Sequence, residues 1–125
     1  MKNKILVIDD DQAICIFLSV VLSKSFYVST AHDGMGAMYL LSEGNIPDLI
    51  ITDLEMPNLS GIELIENLKK SRLYRNIPII VLSGYDSTLK EAECLNLGVC
   101  KYIKKPFDPK KLENSIREVL FKKDK

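Results

Sequence analysis

A few side chains spread along the whole sequence have the types and positions to do chemistry on phosphorus. Asp9 and Asp10 follow the apolar run Ile5 to Ile8, Asp53 follows Leu49-Ile50-Ile51, Ser83 closes Ile79 to Leu82, and Lys105 follows Tyr102-Ile103. The longer of these runs are apolar without alternation, the pattern of strands covered on both faces in a parallel sheet. If the strands are parallel, the residues just past their carboxyl ends share one edge, which is where open α/β sheets bind ligands. Three carboxylates brought together there repel one another, and a divalent cation is the natural compensation. Oxygen-only ligands favour Mg²⁺ or Mn²⁺ over zinc. An Asp53 oxygen can then attack an electrophilic phosphorus while the cation and the Lys105 ammonium neutralise the equatorial oxygens. The Ser83 hydroxyl can donate to one of them.

The elements that must place these groups are readable in order. A strand is predicted from Lys4 to Ile8, and a helix starts at Asp9 to Asp11, because Asp is a good N-cap and Ala13, Ile14, Phe17, Leu18, Val21 and Leu22 recur at helical spacing. Ile16, Val20 and Cys15 lie off that stripe, so this helix has more apolar surface than one packed face needs. Tyr27 to Ala31 is a second strand, and Asp33-Gly34 opens a helix with Ala37, Leu40 and Leu41 inward, closed by Gly44. After Asp53, Ser60 with Glu63 forms a capping-box pattern for a helix presenting Ile62, Ile65 and Leu68. Ile79 to Leu82 is a buried strand after Pro78. Asp86 or Ser87 caps a fourth helix ending at Gly98, Tyr102-Ile103 is a brief last strand, and Asp108-Pro109 opens a final helix with Leu112, Ile116, Val119 and Leu120 inward. From Phe121 onward the chain is Lys-rich and expected to fray. Five strand–helix alternations predict an α/β fold, a five-stranded parallel sheet, doubly wound with helices on both faces; the strand order stays open.

The bulk properties exclude several classes. With 125 residues, no repeats and no linker, residues 1–125 read as one domain with no output domain. Seventeen basic residues balance seventeen acidic ones, so nothing pulls the whole chain toward nucleic acid or an anionic membrane. The apolar run near the start is too short for a secretory signal, and no stretch approaches a membrane span, so a cytoplasmic protein is expected. Cys15, Cys94 and Cys100 are odd in number and lack C-x-x-C spacing, which points to reduced thiols rather than a disulfide framework or zinc site. A single histidine, His32, rules out any site needing two imidazoles and reads as a surface residue.

Taken in order, the acidic pair Asp9-Asp10, Asp53 in the stretch DLEMPNLSG, which fits D-x-x-M-P-x-x-x-G, Ser83-Gly84 and Lys105-Pro106-Phe107 make the chain resemble a response-regulator receiver domain of the single-domain chemotaxis and sporulation type. The resemblance implies a flavodoxin-like fold and a signalling switch phosphorylated on Asp53 by a histidine kinase or phosphotransfer protein. It further implies that Asp10 ligates Mg²⁺ directly, that Asp9 acts largely through water, and that the backbone carbonyl of Glu55 completes the protein ligands. Ser83 and Tyr102 become the switch pair, with helix four, strand five and helix five as the face read by a downstream protein. Receivers commonly dock their phosphodonor on helix one, which would place Ala13, Ile14 and Phe17 in that contact. At least one of Ile14, Ile16 and Phe17 is then expected to be largely exposed.

Plainer readings stand beside these. Asp9 to Asp11 could be a solvated helix start, Ser83-Gly84 a turn, Lys104-Lys105 a solvated pair and Tyr102 a packed strand residue. Glu55 and Tyr85 flank the opening and should tune phosphoryl lifetime. Gly98-Val99-Cys100-Lys101 stands where receivers commonly have Gly-Ala and an acid, which leaves the surface charge of strand five, and with it a monomer or a weak homodimer, open. Two other receiver settings fit: a domain cut from a longer DNA-binding regulator, or from a hybrid kinase. From another class, a Mg²⁺-dependent phosphohydrolase would use Asp53 as nucleophile and Glu55 as acid/base, and a flavin module is disfavoured because no Ser/Thr/Gly-rich phosphate loop follows the first strand.

Overall fold

A computed structural model describes residues 2–84 and 87–121. Its elements alternate as predicted: β1 (Lys4–Ile8), α1 (Gln12–Leu22), β2 (Tyr27–Ala31), α2 (Gly34–Ser42), β3 (Leu49–Thr52), α3 (Gly61–Lys70), β4 (Ile79–Ser83), α4 (Thr88–Asn96), β5 (Lys101–Lys104) and α5 (Pro109–Leu120). Every strand pair is parallel, and the sheet order is β2-β1-β3-β4-β5. The chain therefore winds outward from β1 in one direction to β2 and in the other to β3. The crevice between β1 and β3 is the point of reversal where doubly wound sheets bind ligands.

Two cores sandwich the sheet, and the pleat decides which residue joins which. Ile5 and Val7 of β1 and Ile80 and Leu82 of β4 face α1 and α5, packing with Cys15, Leu18, Leu22, Leu112 and Ile116. Their neighbours Leu6, Ile8, Ile79 and Val81 face the other way, toward Ala37 and Leu41 of α2, Leu64, Ile65 and Leu68 of α3, and Cys94 of α4. Each central strand is thus covered on both faces, which is why it reads as apolar without alternation. Truncating Leu18 or Ile65, both fully buried, to Ala would cost roughly 2–5 kcal/mol in lost transfer energy and cavity.

The helix starts follow the predicted caps. Asp11 accepts from the amides of Ala13 and Ile14, Asp33 from Gly36, Ser87 from Lys90 and Asp108 from Lys110, with Pro109 in the first turn. Ser60 and Glu63 form the reciprocal capping box. The fourth helix stops at Asn96, two residues short of the predicted end, and Gly98 follows at φ +99. Asp86, the other candidate cap, lies outside the described residues with Tyr85 and residues 122–125.

The first helix departs from its predicted stripe. Cys15, Leu18 and Leu22 face the sheet, whereas Ala13 and Phe17, which share the stripe with Leu18 and Leu22, are exposed, as the docking contact expected of them requires. The helix is rotated because Cys15 is small enough to sit over the end of β1, its thiol donating to the Asp9 carbonyl at 3.3 Å. Ile16 and Val20 are about two-thirds exposed and Phe17 nearly half. All three cysteines are free thiols, with Cys15 and Cys94 buried and Cys100 exposed. His32 is exposed, as expected. Among the described residues, no helix is long and apolar enough to cross a membrane.

Candidate functional site

The ladder continues past the strand ends and fixes the acids. The Asp9 amide donates to the Ala31 carbonyl at 3.1 Å, and the Asp53 amide donates to the Ile8 carbonyl at 2.9 Å, so the backbones of β2, β1 and β3 stay in register through the site. The Lys105 amide donates to the Ser83 carbonyl at 2.8 Å, tying the end of β5 to β4 in the same way. Side chains that stand far apart in sequence are brought to one edge without any long loop having to search for them.

Carboxylate oxygens of Asp9, Asp10 and Asp53 all lie within 4.8 Å of one another. Asp9 is almost fully buried and held twice: one oxygen accepts from the Asp11 amide at 2.9 Å, the other from the Lys105 ammonium at 2.9 Å. Lys105 also stands 3.6 Å from an Asp53 oxygen, which accepts from the Leu54 amide at 2.8 Å. Asp10 is exposed at the mouth. The group opens into a cavity of about 840 Å³ whose far wall includes Met56, Ile62 and, from α4, Lys90 and Glu93.

The charges are poised for a cation. Burial, and then the charge of Asp9, push the Asp53 carboxyl above the usual range, with Lys105 offsetting only part of this. Burial opposes the Lys105 ammonium, but its hydrogen bond to Asp9 and the charges of Asp53 and Asp9 outweigh that and raise it, so it stays a cation. Three carboxylates against one ammonium leave formal negative charge in a partly dry site. Hard oxygen donors within 4.8 Å of one another fit a divalent ion of the Mg²⁺ or Mn²⁺ class, and no nitrogen or sulfur ligand competes among the described residues of the cluster.

The loop that follows β3 is held from below. The Thr52 hydroxyl donates to the Asp53 carbonyl at 2.9 Å, and the Gly61 amide donates to the Leu54 carbonyl at 2.9 Å. A Cβ on Gly61 would lie 2.3 Å from the Asp53 carbonyl oxygen and 2.7 Å from the Leu54 Cα. Gly61 is there because α3 starts against the backbone of Asp53 itself, leaving no space for a side chain. Asn58 turns the loop at φ 70, a conformation that Asn tolerates better than most residues.

Of the residues singled out in the sequence, Asp9, Asp10, Asp53 and Lys105 converge, and Glu55 lines the same cavity. Ser83 is fully buried at the end of β4 and is not among the residues lining that cavity. Tyr102 is half-buried, packs against the α2–α3–α4 core and borders a separate groove with Ile103, Phe107 and Leu112. Tyr85 lies outside the described residues. Ala13, Ile14 and Phe17 line an apolar recess of about 440 Å³ with Lys105, Pro106 and Phe107, the Phe17 and Phe107 rings 6.2 Å apart. Sequence reasoning gave no role to Lys90 or Glu93. The one available signal is that Lys90 stands at the third position of a Ser-capped helix, where an acid is usual.

Comparison with known proteins agrees with this geometry. The family model for the response regulator receiver domain matches residues 5–117. The alkaline phosphatase synthesis transcriptional regulatory protein PhoP of Bacillus subtilis (strain 168) is 36% identical over 121 residues, 96% of this chain and 49% of that protein. Hybrid signal transduction histidine kinase D of Dictyostelium discoideum is 35% identical over 111 residues, 89% of this chain but only 7% of that protein. The chain spans about half the length of the transcriptional regulators it matches. Chemotaxis protein CheY4 of Vibrio cholerae superposes with a TM-score of 0.88 at 30% identity, covering 96% of this chain and all of that one. With the strand order, the converging acids and lysine, and the family model all in agreement over nearly the full length, the chain belongs to the response-regulator receiver domain family.

Proposed function

We propose that this domain is a phosphorylation-controlled binding switch whose phosphoacceptor is Asp53. The observation that carries the proposal is the approach of Asp9, Asp10, Asp53 and Lys105 from the ends of three different strands. A bound Mg²⁺ or Mn²⁺ would be held by Asp9, Asp10, Asp53 and the Glu55 backbone carbonyl, and would supply charge neutralisation for the transferring phosphoryl group. An Asp53 oxygen forms the new bond to phosphorus as the bond from phosphorus to the donor's leaving atom breaks, and the electron pair leaves with the donor. Lys105 keeps its ammonium beside the acceptor carboxylate and meets the charge that develops on the phosphoryl oxygens. Ser83 and Tyr102 serve as the switch pair: the hydroxyl at the end of β4 moves toward the phosphoryl oxygen and the ring on β5 follows it inward.

The donor we assign is a histidine kinase or phosphotransfer protein docking on Ala13, Ile14 and Phe17, where an apolar recess opens directly beside Lys105. The downstream protein reads α4, β5 and α5. We place the domain in the cytoplasm, acting on no separate substrate and binding no nucleic acid itself, as a monomer or weak homodimer. Matches to half of transcriptional regulators and to a small part of a hybrid kinase favour a second setting, the same switch operating inside a longer regulator.

Incubation with acetyl phosphate, with and without Mg²⁺, tests the proposal. One phosphoryl group per chain, dependent on the cation and lost in Asp53→Asn, is the expected result. Multiple turnover on sugar phosphates would instead establish a phosphohydrolase using Asp53 and Glu55.

A further inference from the structure

Three successive elements of this domain carry no charge at all. α1, β2 and α2, of 11, 5 and 9 residues, contain no acidic or basic side chain, although 27% of the chain is charged. Their surface nonetheless meets water: Val20 is about two-thirds exposed, and Tyr27, Met35 and Tyr39 nearly as much. Exposed apolar area with no charge among it marks a contact surface. β2 also ends the sheet, and the two ends of the sheet are built differently. At the far end β5 begins and closes with lysine, the residue that commonly keeps a free strand edge from pairing. β2 reads Tyr-Val-Ser-Thr-Ala, with neither Lys nor Pro to blunt it. The Tyr27 amide donates to the Asn3 carbonyl and the Ala31 carbonyl accepts from the Asp9 amide, so both turn toward β1. By alternation Ser29 does the same, while Val28 and Thr30 direct their amides and carbonyls to the free edge.

We propose that the free edge of β2 is an interface between two copies of this chain, the strands pairing antiparallel about a twofold axis at Ser29. In that register the outward groups of Val28 meet those of Thr30 in the other copy, and the reverse, so the axis pairs both residues at once. Val20 lines a recess of about 340 Å³ with Ile16, Ser19 and Thr30, on the flank of α1 that overlooks β2, and closes over the junction. A bilayer or a helical partner would cover Val20 but strip water from the edge of Val28 and Thr30 without supplying their hydrogen bonds. Only an extended strand does both. A second copy brings such a strand with no charge to oppose it. Ala13, Ile14 and Phe17 lie toward Phe107, on the other flank of α1, so the recess assigned to the phosphodonor stays open. The inference does not depend on the aspartyl phosphate reading.

The test combines sedimentation equilibrium of the full chain with amide hydrogen exchange across a concentration series. The average mass of wild type should rise with concentration from 14.1 kDa toward twice that. Exchange at Val28 and Thr30 should slow in parallel, while Tyr27, whose amide β1 already holds, stays unchanged. This arm needs no substitution. Val20→Lys, Ser29→Lys and Ser29→Asp fall on exposed positions and should keep the monomer's Tm, yet each should weaken dimerisation by at least about tenfold by setting like charges against each other near the axis. Mixing Ser29→Lys with Ser29→Asp should restore it, because residue 29 faces its own copy. A wild type that stays monomeric up to about 1 mM would overturn the proposal. A dimer indifferent to charge at residue 29, or one that leaves exchange at Val28 and Thr30 unchanged, would overturn it too. Binding of the monomer to phosphatidylcholine vesicles, without self-association, would give this face to a bilayer instead.

Discussion

Replacing Gly61 by Ala should disable the site from beneath without touching any acid. The new Cβ would lie 2.3 Å from the Asp53 carbonyl oxygen, and real Cβ atoms essentially never approach closer than 3.0 Å. The backbone must therefore open by at least about 0.7 Å between the start of α3 and Asp53, with Leu54 Cα and Asp53 C, at 2.7 and 3.1 Å, blocking the easy sideways paths. The hydrogen bond from the Gly61 amide to the Leu54 carbonyl runs through the same contact and would lengthen with it. Overpacking of this kind costs typically 1–3 kcal/mol, and because it falls on backbone no rotamer change relieves it. Displacing a reacting group by about 1 Å can cost on the order of 100-fold in rate. Gly61→Ala should thus fold with a lowered Tm and accept phosphate from acetyl phosphate 10- to 100-fold more slowly, roughly as that displacement implies, as followed by intact mass against time. A Gly61→Ala chain with wild-type Tm and wild-type phosphorylation rate would refute the argument that α3 is packed against the acceptor backbone.

Two further outcomes follow from charge and surface. Burial and Asp9 raise the Asp53 carboxyl, so the folded chain holds that proton more firmly than the unfolded chain does. The stability this group contributes is present below the ordinary carboxylate range and lost as pH rises through the raised value. Asp53→Asn should therefore be the more stable protein at neutral pH in chelator, with the gap closing on acidification and Mg²⁺ raising the Tm of wild type more; a gap that widens as pH falls would contradict the sign. On α1, Ile16→Asp and Ile14→Asp should slow transfer from a histidine phosphodonor by at least about tenfold, as when a charge is buried unpaired at an interface core. Transfer from acetyl phosphate should be unchanged. Equal slowing with both donors would sink the docking role of this face.

The strands and the acids were legible together because both come from one physical cause. A strand covered on both faces has no alternation to confuse, and it must end abruptly in polar residues where it meets the site, so Ile8-Asp9 and Thr52-Asp53 announce both the element and its business end. Strand order was not legible, since nothing local says on which side of β1 the chain will turn. The packed face of α1 was not legible for a related reason. That helix is apolar nearly all round, so several stripes fit helical spacing, and the small Cys15 rather than the larger Phe17 takes the place over the sheet. Gly61 stood inside the recognised stretch, but its reason, an α-helix starting against the acceptor carbonyl, exists only in three dimensions. Lys90 depends likewise on how α4 is turned, and its unusual place in the first turn was the only trace left in the sequence.

The most direct measurement locates the modification. After incubation with acetyl phosphate, borohydride converts an aspartyl phosphate to homoserine, and peptide mass spectrometry then identifies the position. Conversion at residue 53, seen with Mg²⁺ and absent when the ion is chelated, is what the convergence of Asp9, Asp10, Asp53 and Lys105 requires. Conversion at any other residue, or at residue 53 to the same extent without the cation, would contradict it.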